Sequence, residues 1–304
     1  MNPRRLLPAA AAMAAAGAAV MVANRPPAAD GMLSVTFLEV GQGDAAVVRA
    51  PNGLTLAVDT GRSTANSDLS RSVLAPHLRS LGVNRLDGLI VTHSDDDHAG
   101  GAETLLSLFS PKSLLLPAPM TGQPEDAAAA VASRRKPDPS VRLRWLSRGQ
   151  TVQLGPKVRL QVLNPSAERA DGDEATDNNR SLVLRLTYGV RSILMEADAE
   201  AEAERDMLQA RLPVRSDVLK VSHHGSRSAS AEAWLNAVRP THAVISVGRR
   251  NRYGHPHPTV LTALRKYGAR VYRTDRNGAV SVRTDGTRLT ITPQRGRAAA
   301  GATP

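Results

Sequence analysis

The sequence predicts an α/β fold in which two β-sheets pack face to face between outer helices, a four-layer αββα sandwich. Two halves of the chain each contain a run of short strands followed by alternating strands and helices. Of the 304 residues, 41% are apolar and only 3% are aromatic, so the chain can enclose one large core of aliphatic side chains. Together these observations favour a single domain of stacked sheets and helices.

The first half is expected to begin as a strand meander, since short β-rich runs alternate with turns that contain glycine. The runs expected to be strands are 33–39, 45–49, 54–59, 88–91 and 113–116. Helical spacing of apolar residues predicts helices over 68–81 and 99–108, and a further helix is expected over 126–134 inside a surface excursion. Strands and helices therefore begin to alternate where the meander ends.

The second half shows the same succession of elements. The runs expected to be strands are 158–163, 181–186, 192–196, 218–221, 242–247, 270–272, 279–283 and 289–292. The expected helices are 200–211, 231–238 and 259–267. We expect residues 30–293 to form the domain and residues 294–304 to be a disordered tail.

Residues 1–29 are typical of an export segment. Arg4 and Arg5 precede an apolar, alanine-rich run over 6–23, and two prolines follow shortly after it. This pattern predicts a signal peptide or an uncleaved N-terminal membrane anchor. Both alternatives stay open, because the run is only about long enough to cross a bilayer. We therefore expect an exported protein, periplasmic or extracellular, that associates with the membrane if the segment is retained.

The charge and the absence of cysteine limit the chemistry. Without cysteine the chain has no disulfide, no thiolate zinc site and no cysteine nucleophile. The formal net charge is +11, and residues 1–29 contribute three arginines and no acid, so the remaining chain carries +8. Such a surface attracts polyanions such as nucleic acid, although arginine-rich sequences also carry this charge without a partner.

The densest cluster of candidate ligands lies where an expected strand gives way to an expected helix. His93, Asp95, Asp97 and His98 fall within six residues there. In an extended loop, alternate side chains share a face, so these groups can converge. The three successive carboxylates at 95–97 would repel one another unless a cation relieved them. We therefore expect a metal site in preference to a solvated acidic loop that caps the helix.

Three further motifs carry candidate functional residues. His223 and His224 come before a glycine at a strand end, where catalytic groups of layered α/β folds gather. Asp198 follows an apolar strand and is equally suited to capping the next helix or bridging metals. His255 and His257 flank a proline before a helix whose N-terminus favours anions, so this loop is a candidate phosphate site.

The chain resembles the metallo-β-lactamase-like C-terminal domain of ComEC-type competence proteins, which serve DNA uptake. The resemblance covers about residues 33–285 and rests on motifs that occur in the family's order. These are VGQGDA at 40–45, DTG at 59–61, THSDDDHAGG at 92–101, DNNRSLVL at 177–184, SHHGS at 222–226 and YGHPHP at 253–258. One departure from the superfamily's His-x-His-x-Asp-His signature is Asp95, which stands where the second histidine is usual.

The resemblance implies a centre with two divalent metal ions, Mn²⁺ or Zn²⁺, with Mg²⁺ also suitable. The implied ligands are His93, Asp95, Asp97, His98, Asp177, Asp198, His223 and His224. Carried over by motif, His93 and Asp95 hold one ion. Asp97, His98 and His224 hold the second. Replacing an imidazole by Asp95 makes the first position richer in oxygen, which shifts its preference from zinc toward manganese or magnesium.

The remaining implied ligands are less regular. Asp198 would bridge both ions, although the family usually has glycine where this chain has Ala197. Asp177 falls where many relatives place a third histidine. His223 would be either a neighbouring ligand or a partner of one.

The implied activity is hydrolysis of a phosphodiester, with DNA as the leading candidate substrate. Two ions would activate a water molecule, and Asp97 would orient it. His255 or His257 would hydrogen-bond the phosphate or protonate the leaving oxygen. Arg227, together with the arginines at 249, 250 and 252, could follow a nucleic-acid backbone, and with so few aromatic residues we expect binding without sequence preference.

No segment after residue 23 is long and apolar enough to cross a bilayer, so we do not expect this chain to form a pore itself. If it serves DNA uptake, a separate membrane channel is an expected partner. Two other functions stay open at this point. One is an exported hydrolase of lactones, thioesters or phosphoesters in the same fold, and the other is a binding module with a vestigial metal site.

Overall fold

The part of the chain that the computed structural model describes comprises residues 30–118, 140–166 and 177–296. The export segment expected over 1–29 and the helix expected over 126–134 lie outside these residues. Gln294 and Arg295, where the tail was expected to start, are hydrogen-bonded to Ala279 and Asn277, so the described fold continues to Gly296. The rest of the expected tail lies outside the described residues.

Eight strands form the first sheet. They are β1 (Leu33–Phe37), β2 (Ala46–Arg49), β3 (Thr55–Val58), β6 (Gly88–Ile90), β7 (Ser113–Pro117), β8 (Arg142–Leu146), β16 (Val280–Thr284) and β17 (Leu289–Pro293). Their order is β17-β16-β1-β2-β3-β6-β7-β8. Neighbours are antiparallel from β17 to β3 and parallel from β3 to β8, so a meander leads into strand-helix units as expected. A short separate hairpin pairs β4 (Ser63–Thr64) with β5 (Ser67–Asp68).

Seven strands form the second sheet. They are β9 (Thr151–Gln153), β10 (Val158–Asn164), β11 (Val183–Tyr188), β12 (Arg191–Met195), β13 (Val218–Lys220), β14 (His242–Ile245) and β15 (Arg270–Arg273). Their order is β15-β14-β13-β12-β11-β10-β9. Here too an antiparallel part, β9 to β12, leads into a parallel part, β12 to β15. The two halves of the chain therefore build two similar sheets.

Helices cover the outer faces of both sheets. They are α1 (Ala75–Ser80), α2 (Asp96–Ala99), α3 (Ala102–Phe109), α4 (Ala201–Gln209), α5 (Glu232–Val238), α6 (Pro258–Lys266) and α7 (Thr274–Asn277). A π-helical turn over Ser70–Leu74 leads into α1, and 3₁₀ turns occupy Asp177–Arg180 and Ser222–Gly225. Helix was expected from residue 68, but Asp68 ends β5.

Three layers of buried aliphatic side chains hold the sandwich together. Between the sheets, Phe37 and Ile90 of the first sheet pack with Leu184 and Val244 of the second. Two further clusters lie between each sheet and its helices, and one of them includes Trp234 on α5. The arrangement is helix, sheet, sheet, helix, which confirms the four-layer αββα sandwich.

The sequence pattern failed to predict β8, β9, the β4–β5 hairpin and α7. In β8, three of five residues are exposed and two of the five are arginine, so the strand at the sheet edge lacks an apolar period. The others contain only two to four residues each, which is too short for a period to be visible. Within the described residues, no helix has both the length and the apolar character needed to cross a bilayer.

Candidate metal centre

The candidate ligands lie on loops that follow parallel strands at one edge of the sandwich. In the first sheet, the loops after β1, β3 and β6 carry Asp44, Asp59 and the segment 93–98. In the second, the loops after β12 and β13 carry Asp198 and the pair 223–224. Because the carboxyl ends of parallel strands meet at the same edge, residues far apart in sequence converge there.

Three buried imidazoles direct the same nitrogen into one small space. His93, His98 and His224 are at most 2% exposed, and the Nε2 atom of each has no hydrogen bond. The ring centroids of His93 and His98 lie 4.1 Å apart, and those of His98 and His224 lie 5.4 Å apart. A buried polar atom without a partner costs about 1–3 kcal/mol. A cation bound where these nitrogens meet would remove that cost at all three.

Hydrogen bonds fix the tautomers of His93 and His98. Asp59 Oδ2, which can only accept, lies 2.9 Å from His98 Nδ1, so Nδ1 carries the proton. The Thr92 hydroxyl donates to the same Asp59 oxygen over 2.8 Å and lies 3.1 Å from His93 Nδ1, from which it accepts. In both rings the Nδ1 proton is therefore held by a hydrogen bond, and Nε2 is the nitrogen available to a metal ion, which displaces any proton there.

The second sheet holds its histidines in the same way. The carbonyl oxygen of Ser246 accepts from His224 Nδ1 over 3.0 Å. Glu200 Oε1 lies 3.0 Å from His223 Nδ1 and also accepts from a nearby serine hydroxyl. Both rings thus present Nε2 toward the cluster, and His223 is the more exposed of the two, with a side chain 24% accessible.

Asp198 lies between these imidazoles. Its Oδ1 atom is 3.2 Å from His98 Nε2, while its Oδ2 atom is 3.5 Å from His224 Nε2 and 3.8 Å from His223 Nε2. Asp198 is 3% exposed, and Oδ1 has no hydrogen bond. A carboxylate that faces imidazoles through both oxygens can bridge two cations.

The acidic loop supplies two further oxygens. Asp97 Oδ2 lies 3.4 Å from His224 Nε2, and Asp95 Oδ2 lies 3.6 Å from His93 Nε2. The side chain of Asp95 is 50% exposed, so it stands at the mouth of the site. Among the described residues, four sets of possible ligand atoms lie within 4.8 Å of one another. Two of them are His93 with His98 and Asp198, and Asp97 with His98 and His224. The other two contain Asp44, either with Asp198 and His224 or with Asp59 and His98.

The pKa shifts of these groups follow from the mixture of buried carboxylates and imidazoles in the cluster. Burial alone would lower the pKa of His98, but the carboxylates of Asp198 and Asp59 raise it well above its usual range. Burial would raise the pKa of Asp198, yet His98 and His224 hold it well below its usual range. Burial would raise the pKa of Asp97, but the neighbouring imidazoles of His224 and His98 lower it to about 2. Protons on the imidazoles thus compensate the carboxylates, and metal ions would displace those protons.

Strained backbone places several of these side chains. Asp59, Ala197, His223 and His224 have positive φ angles of 56°, 47°, 44° and 54°. Residues other than glycine adopt this left-handed region at a cost, and such strain collects at functional sites. Ala197 shows that the chain tolerates a side chain at the position where glycine is usual in the family.

The loop after β14 brings His255 beside the cluster. The ring centroid of His255 lies 5.7 Å from that of His223 and 6.5 Å from that of His224. Burial and the two neighbouring histidines lower the pKa of His255 to about 4, so it is neutral at physiological pH. Tyr253 is 62% exposed and stacks on His255, and Asn251 fixes the loop by accepting from His255 N over 2.9 Å.

Two of the expected site residues stand apart from this geometry. His257 caps α6, since its Nδ1 accepts from Thr259 N over 3.3 Å, and no ring contact or ion pair joins it to the cluster among the described residues. The structure therefore gives His257 a capping position, and of the two expected acid groups only His255 adjoins the cluster. The backbone of Asp177 starts a 3₁₀ turn, and its side chain lies outside the described residues.

Three buried residues of the site were not assigned a role from the sequence. Asp44 and Asp59 belong to the VGQGDA and DTG motifs. These motifs supported the resemblance to the family, but they did not indicate that the two carboxylates contact the histidines. Lys220 comes directly before the SHHGS segment and forms a buried ion pair with Asp44. A lysine at a strand end carries no sequence signal for burial, because lysine is almost always exposed.

With this geometry in place, comparisons with known proteins identify the family. The profile of the metallo-beta-lactamase superfamily matches residues 38–249, and the chain belongs to that superfamily. It is 36% identical over 262 residues to ComE operon protein 3 of Bacillus subtilis (strain 168), covering 82% of this chain and 33% of the relative. It is 33% identical over 263 residues to Competence protein ComA of Neisseria gonorrhoeae, covering 85% of this chain and 33% of the relative.

Solved structures show the same fold. Zinc-bound PqqB of Methylobacterium extorquens aligns with a TM-score of 0.50 at 13% identity, covering 79% of this chain and 97% of that one. The resemblance to ComEC-type competence proteins is confirmed, and this chain spans about a third of the length of the curated relatives. The chain therefore combines the metallo-β-lactamase fold, a cluster of side chains suited to metal binding and competence-related homologues.

Proposed function

We propose that this protein is a metal-dependent phosphodiesterase that cleaves DNA in connection with DNA uptake. The observation that carries the proposal is the convergence of three buried, unpartnered imidazole nitrogens on the carboxylate of Asp198. The name of one relative, Competence protein ComA, points to competence. The resemblance to ComEC-type proteins implies DNA uptake, and this makes DNA the leading candidate substrate.

The proposed centre holds two divalent ions. His93 and Asp95 serve one position and Asp97, His98 and His224 serve the other, with Asp198 shared between them. His223 completes the set, because its Nε2 atom faces Asp198 across 3.8 Å. Asp177 stays a proposed ligand on the resemblance alone. When bound, the two ions supply a Lewis acid for the phosphate and lower the pKa of a water molecule.

The chain's own residues would orient the reaction. Asp97 is ionised and aimed at the cluster, so it can align the attacking water. Neutral His255 stands at the mouth of the site and can hydrogen-bond a phosphate oxygen. The half-exposed carboxylate of Asp95 gives the first position an oxygen ligand where an imidazole is usual, and this favours Mn²⁺ or Mg²⁺ over Zn²⁺. We propose Mn²⁺ as the preferred activator.

Exposed arginines lie on two of the loops that carry residues of the site. Arg227 follows the SHHGS loop, and Arg249, Arg250 and Arg252 lie on the loop that carries His255. All four are exposed, so they are accessible to a phosphate backbone. Their placement supports a polyanionic substrate over a small neutral ester.

We also propose where the protein acts. The segment 1–29 would direct export and, if retained, anchor the domain to the membrane. The domain would then act in the periplasm or outside the cell, beside a separate membrane channel that carries DNA.

The test is a nuclease assay on linear double- and single-stranded DNA with protein reconstituted with Mn²⁺, Zn²⁺ or Mg²⁺. We expect cleavage that Mn²⁺ supports best and that His224→Ala abolishes. His242→Ala is the matched control, because His242 lies at the far end of β14 with its Nδ1 atom against Thr241, and it should retain full activity.

Two outcomes would overturn the proposal. Activity on lactone, thioester or small phosphoester panels without cleavage of DNA would identify a small-molecule hydrolase. If neither the wild type nor Asp97→Ala showed activity on any of these substrates, the protein would be identified as a binding module.

A further inference from the structure

A buried lysine lies directly behind the candidate metal centre. Lys220, the last residue of β13, is 3% exposed and forms an ion pair with Asp44, which is 6% exposed. An ammonium group is seldom buried, and it is out of place beside a site that binds cations unless it has a specific function there.

Asp44 faces the Nδ1 atoms of the His98 and His224 rings. Its Oδ2 atom lies 3.9 Å from His98 Nδ1, and its Oδ1 atom lies 3.9 Å from His224 Nδ1. Asp44 Oδ1 has no hydrogen bond, so Lys220 is the ion-pair partner that holds this carboxylate. At these distances Asp44 accepts no hydrogen bond from either ring, because the Nδ1 atoms donate to Asp59 and to the Ser246 carbonyl. Asp44 instead places a negative charge close to both rings.

The same ion pair joins loops from both sheets. Lys220 Nζ donates to the carbonyl oxygen of Ala197 over 3.3 Å, and this oxygen also accepts from His223 N over 2.9 Å. Ala197 has a positive φ and comes directly before Asp198, so these two donors hold the carbonyl of a strained turn.

On the other sheet, Asp44 extends the connection to the acidic loop. The backbone N–H of Asp44 donates to the carbonyl oxygen of Asp97 over 3.1 Å, and its carbonyl accepts from Gly61 N over 2.8 Å. Lys220 is therefore connected to Asp198 through Ala197, and to Asp97 through Asp44. A small cavity of about 20 Å³ beside it, lined by Asp44, Asp59 and Ser246 among others, leaves little room for rearrangement.

We propose that Lys220 is a positioning residue of the metal centre, a built-in cation that fixes Asp44 and, through it and Ala197, the loops that carry Asp97 and Asp198. Burial would lower the pKa of Lys220, but Asp44 and Asp198 raise it, so the lysine stays charged. The role applies to any reaction at this centre and does not depend on the identity of the substrate.

The test measures metal binding, with no substrate present. Removing both charges at once, in Lys220→Met/Asp44→Asn, avoids an unpaired buried charge and should preserve the fold. We expect this variant to bind Zn²⁺ about 10–100-fold more weakly than the wild type in a competitive chelator titration, the usual effect of losing a residue that orients metal ligands. With Co²⁺ in place of Zn²⁺, its visible absorption spectrum should also change, because the ligand geometry has changed.

A matched control comes from the opposite ends of the same two strands. Arg191 at the start of β12 pairs with Asp217 before β13 over 2.9 Å, and this pair contacts no ligand loop among the described residues. Arg191→Met/Asp217→Asn should bind Zn²⁺ as the wild type does. Circular dichroism and thermal melting establish that each variant is folded.

The proposal is overturned if folded Lys220→Met/Asp44→Asn binds Zn²⁺ with wild-type affinity, or if the control variant weakens binding to the same degree. If the double variant does not fold, Asp44→Asn alone decides the question by the same two measurements. Because neither measurement uses DNA, a failed nuclease assay would leave this result standing, and a failed metal titration would not refute DNA cleavage.

Discussion

At the scale of single residues, the protonation of His98 depends on Asp59. This carboxylate accepts from His98 Nδ1, from the Thr92 hydroxyl and from Thr92 N, so it sets two imidazoles through direct and indirect hydrogen bonds. Both rings keep Nε2 free only while Asp59 accepts. The side chain that determines which nitrogen can bind a metal therefore lies behind the ligands and is 2% exposed.

We predict that Asp59→Asn weakens Zn²⁺ binding by about 10–100-fold without unfolding the protein. The amide N–H₂ would face His98 Nδ1, which favours the wrong tautomer, while asparagine tolerates the positive φ of this position well. Chelator competition measures the affinity.

The control for this change is Asp87→Asn. Asp87 accepts from Thr55 N over 2.8 Å and ties β6 to β3 at the end opposite Asp59. It should alter stability slightly and leave metal affinity as it is. Equal losses of affinity in the two variants would show that Asp59 has no specific effect on the tautomer.

At the scale of elements, the loop between β1 and β2 packs closely against the acidic loop. Gly43 has a φ of +132°, and a Cβ atom built there would lie 2.3 Å from the carbonyl oxygen of Asp97. Gly41 in the same loop has a φ of +69° and nothing within 4 Å of such an atom. One glycine is thus required by its contact and the other only by its backbone angle.

Accordingly, Gly43→Ala should destabilise the protein by about 3 kcal/mol and also weaken metal binding, since the added carbon displaces Asp97. Gly41→Ala should cost about 1 kcal/mol, the penalty of a left-handed alanine, with normal metal affinity. Urea unfolding and zinc titration of both variants provide the measurements. If both variants lost the same stability and kept the metal, the contact with Asp97 would be of no consequence.

A buried acid pair connects β12 to the helices behind it. Glu196 accepts from Trp234 Nε1 on α5 over 2.5 Å, and Glu204 on α4 caps the start of α5 through Ser230 N and Ala231 N. Burial and the charge of Glu204 raise the pKa of Glu196 well above its usual range. Burial raises the pKa of Glu204 to about 7.

The sign of the pH dependence follows from these shifts. The folded protein binds protons that the unfolded chain releases between the ordinary pKa of 4.5 and about 7, so stability falls as pH rises through this window. Glu196→Gln removes one charge of the pair and should make the metal-free protein more stable at pH 8, by roughly 2 kcal/mol, with little change at pH 4.5. Urea unfolding at the two pH values tests this, and parallel curves for the variant and wild type would contradict it.

At the scale of the whole molecule, the sequence predicted the layers and several of the side chains that converge at one edge, but not the residues that pack behind them. The periodicity of the strands was sufficient to predict two sheets. The motifs at 93–98 and 223–224 were sufficient to predict that side chains from both sheets converge at one edge. Asp44 and Lys220 could not be paired from the sequence, because 176 residues separate them and only the packing of two sheets brings them together. His257 was expected beside the cluster, and its position at the start of α6, where it caps the helix, could not be read from the motif alone.

The net charge of +11 is also a property of the whole molecule, yet its effect on DNA binding should depend on where the charges lie. Replacing the three exposed arginines at 249, 250 and 252 by alanine, in an Asp97→Ala background that cannot cleave, should reduce the slope of log affinity against log salt by about 2–3. Replacing the exposed arginines at 159, 211 and 288, away from the metal edge, removes the same charge and should leave the slope nearly unchanged. Fluorescence anisotropy between 50 and 200 mM salt, roughly the range in which such slopes are resolved, compares the two variants. An equal change in both would mean that DNA responds to the overall charge, and the arginines beside the metal centre would then have no specific part in binding the substrate.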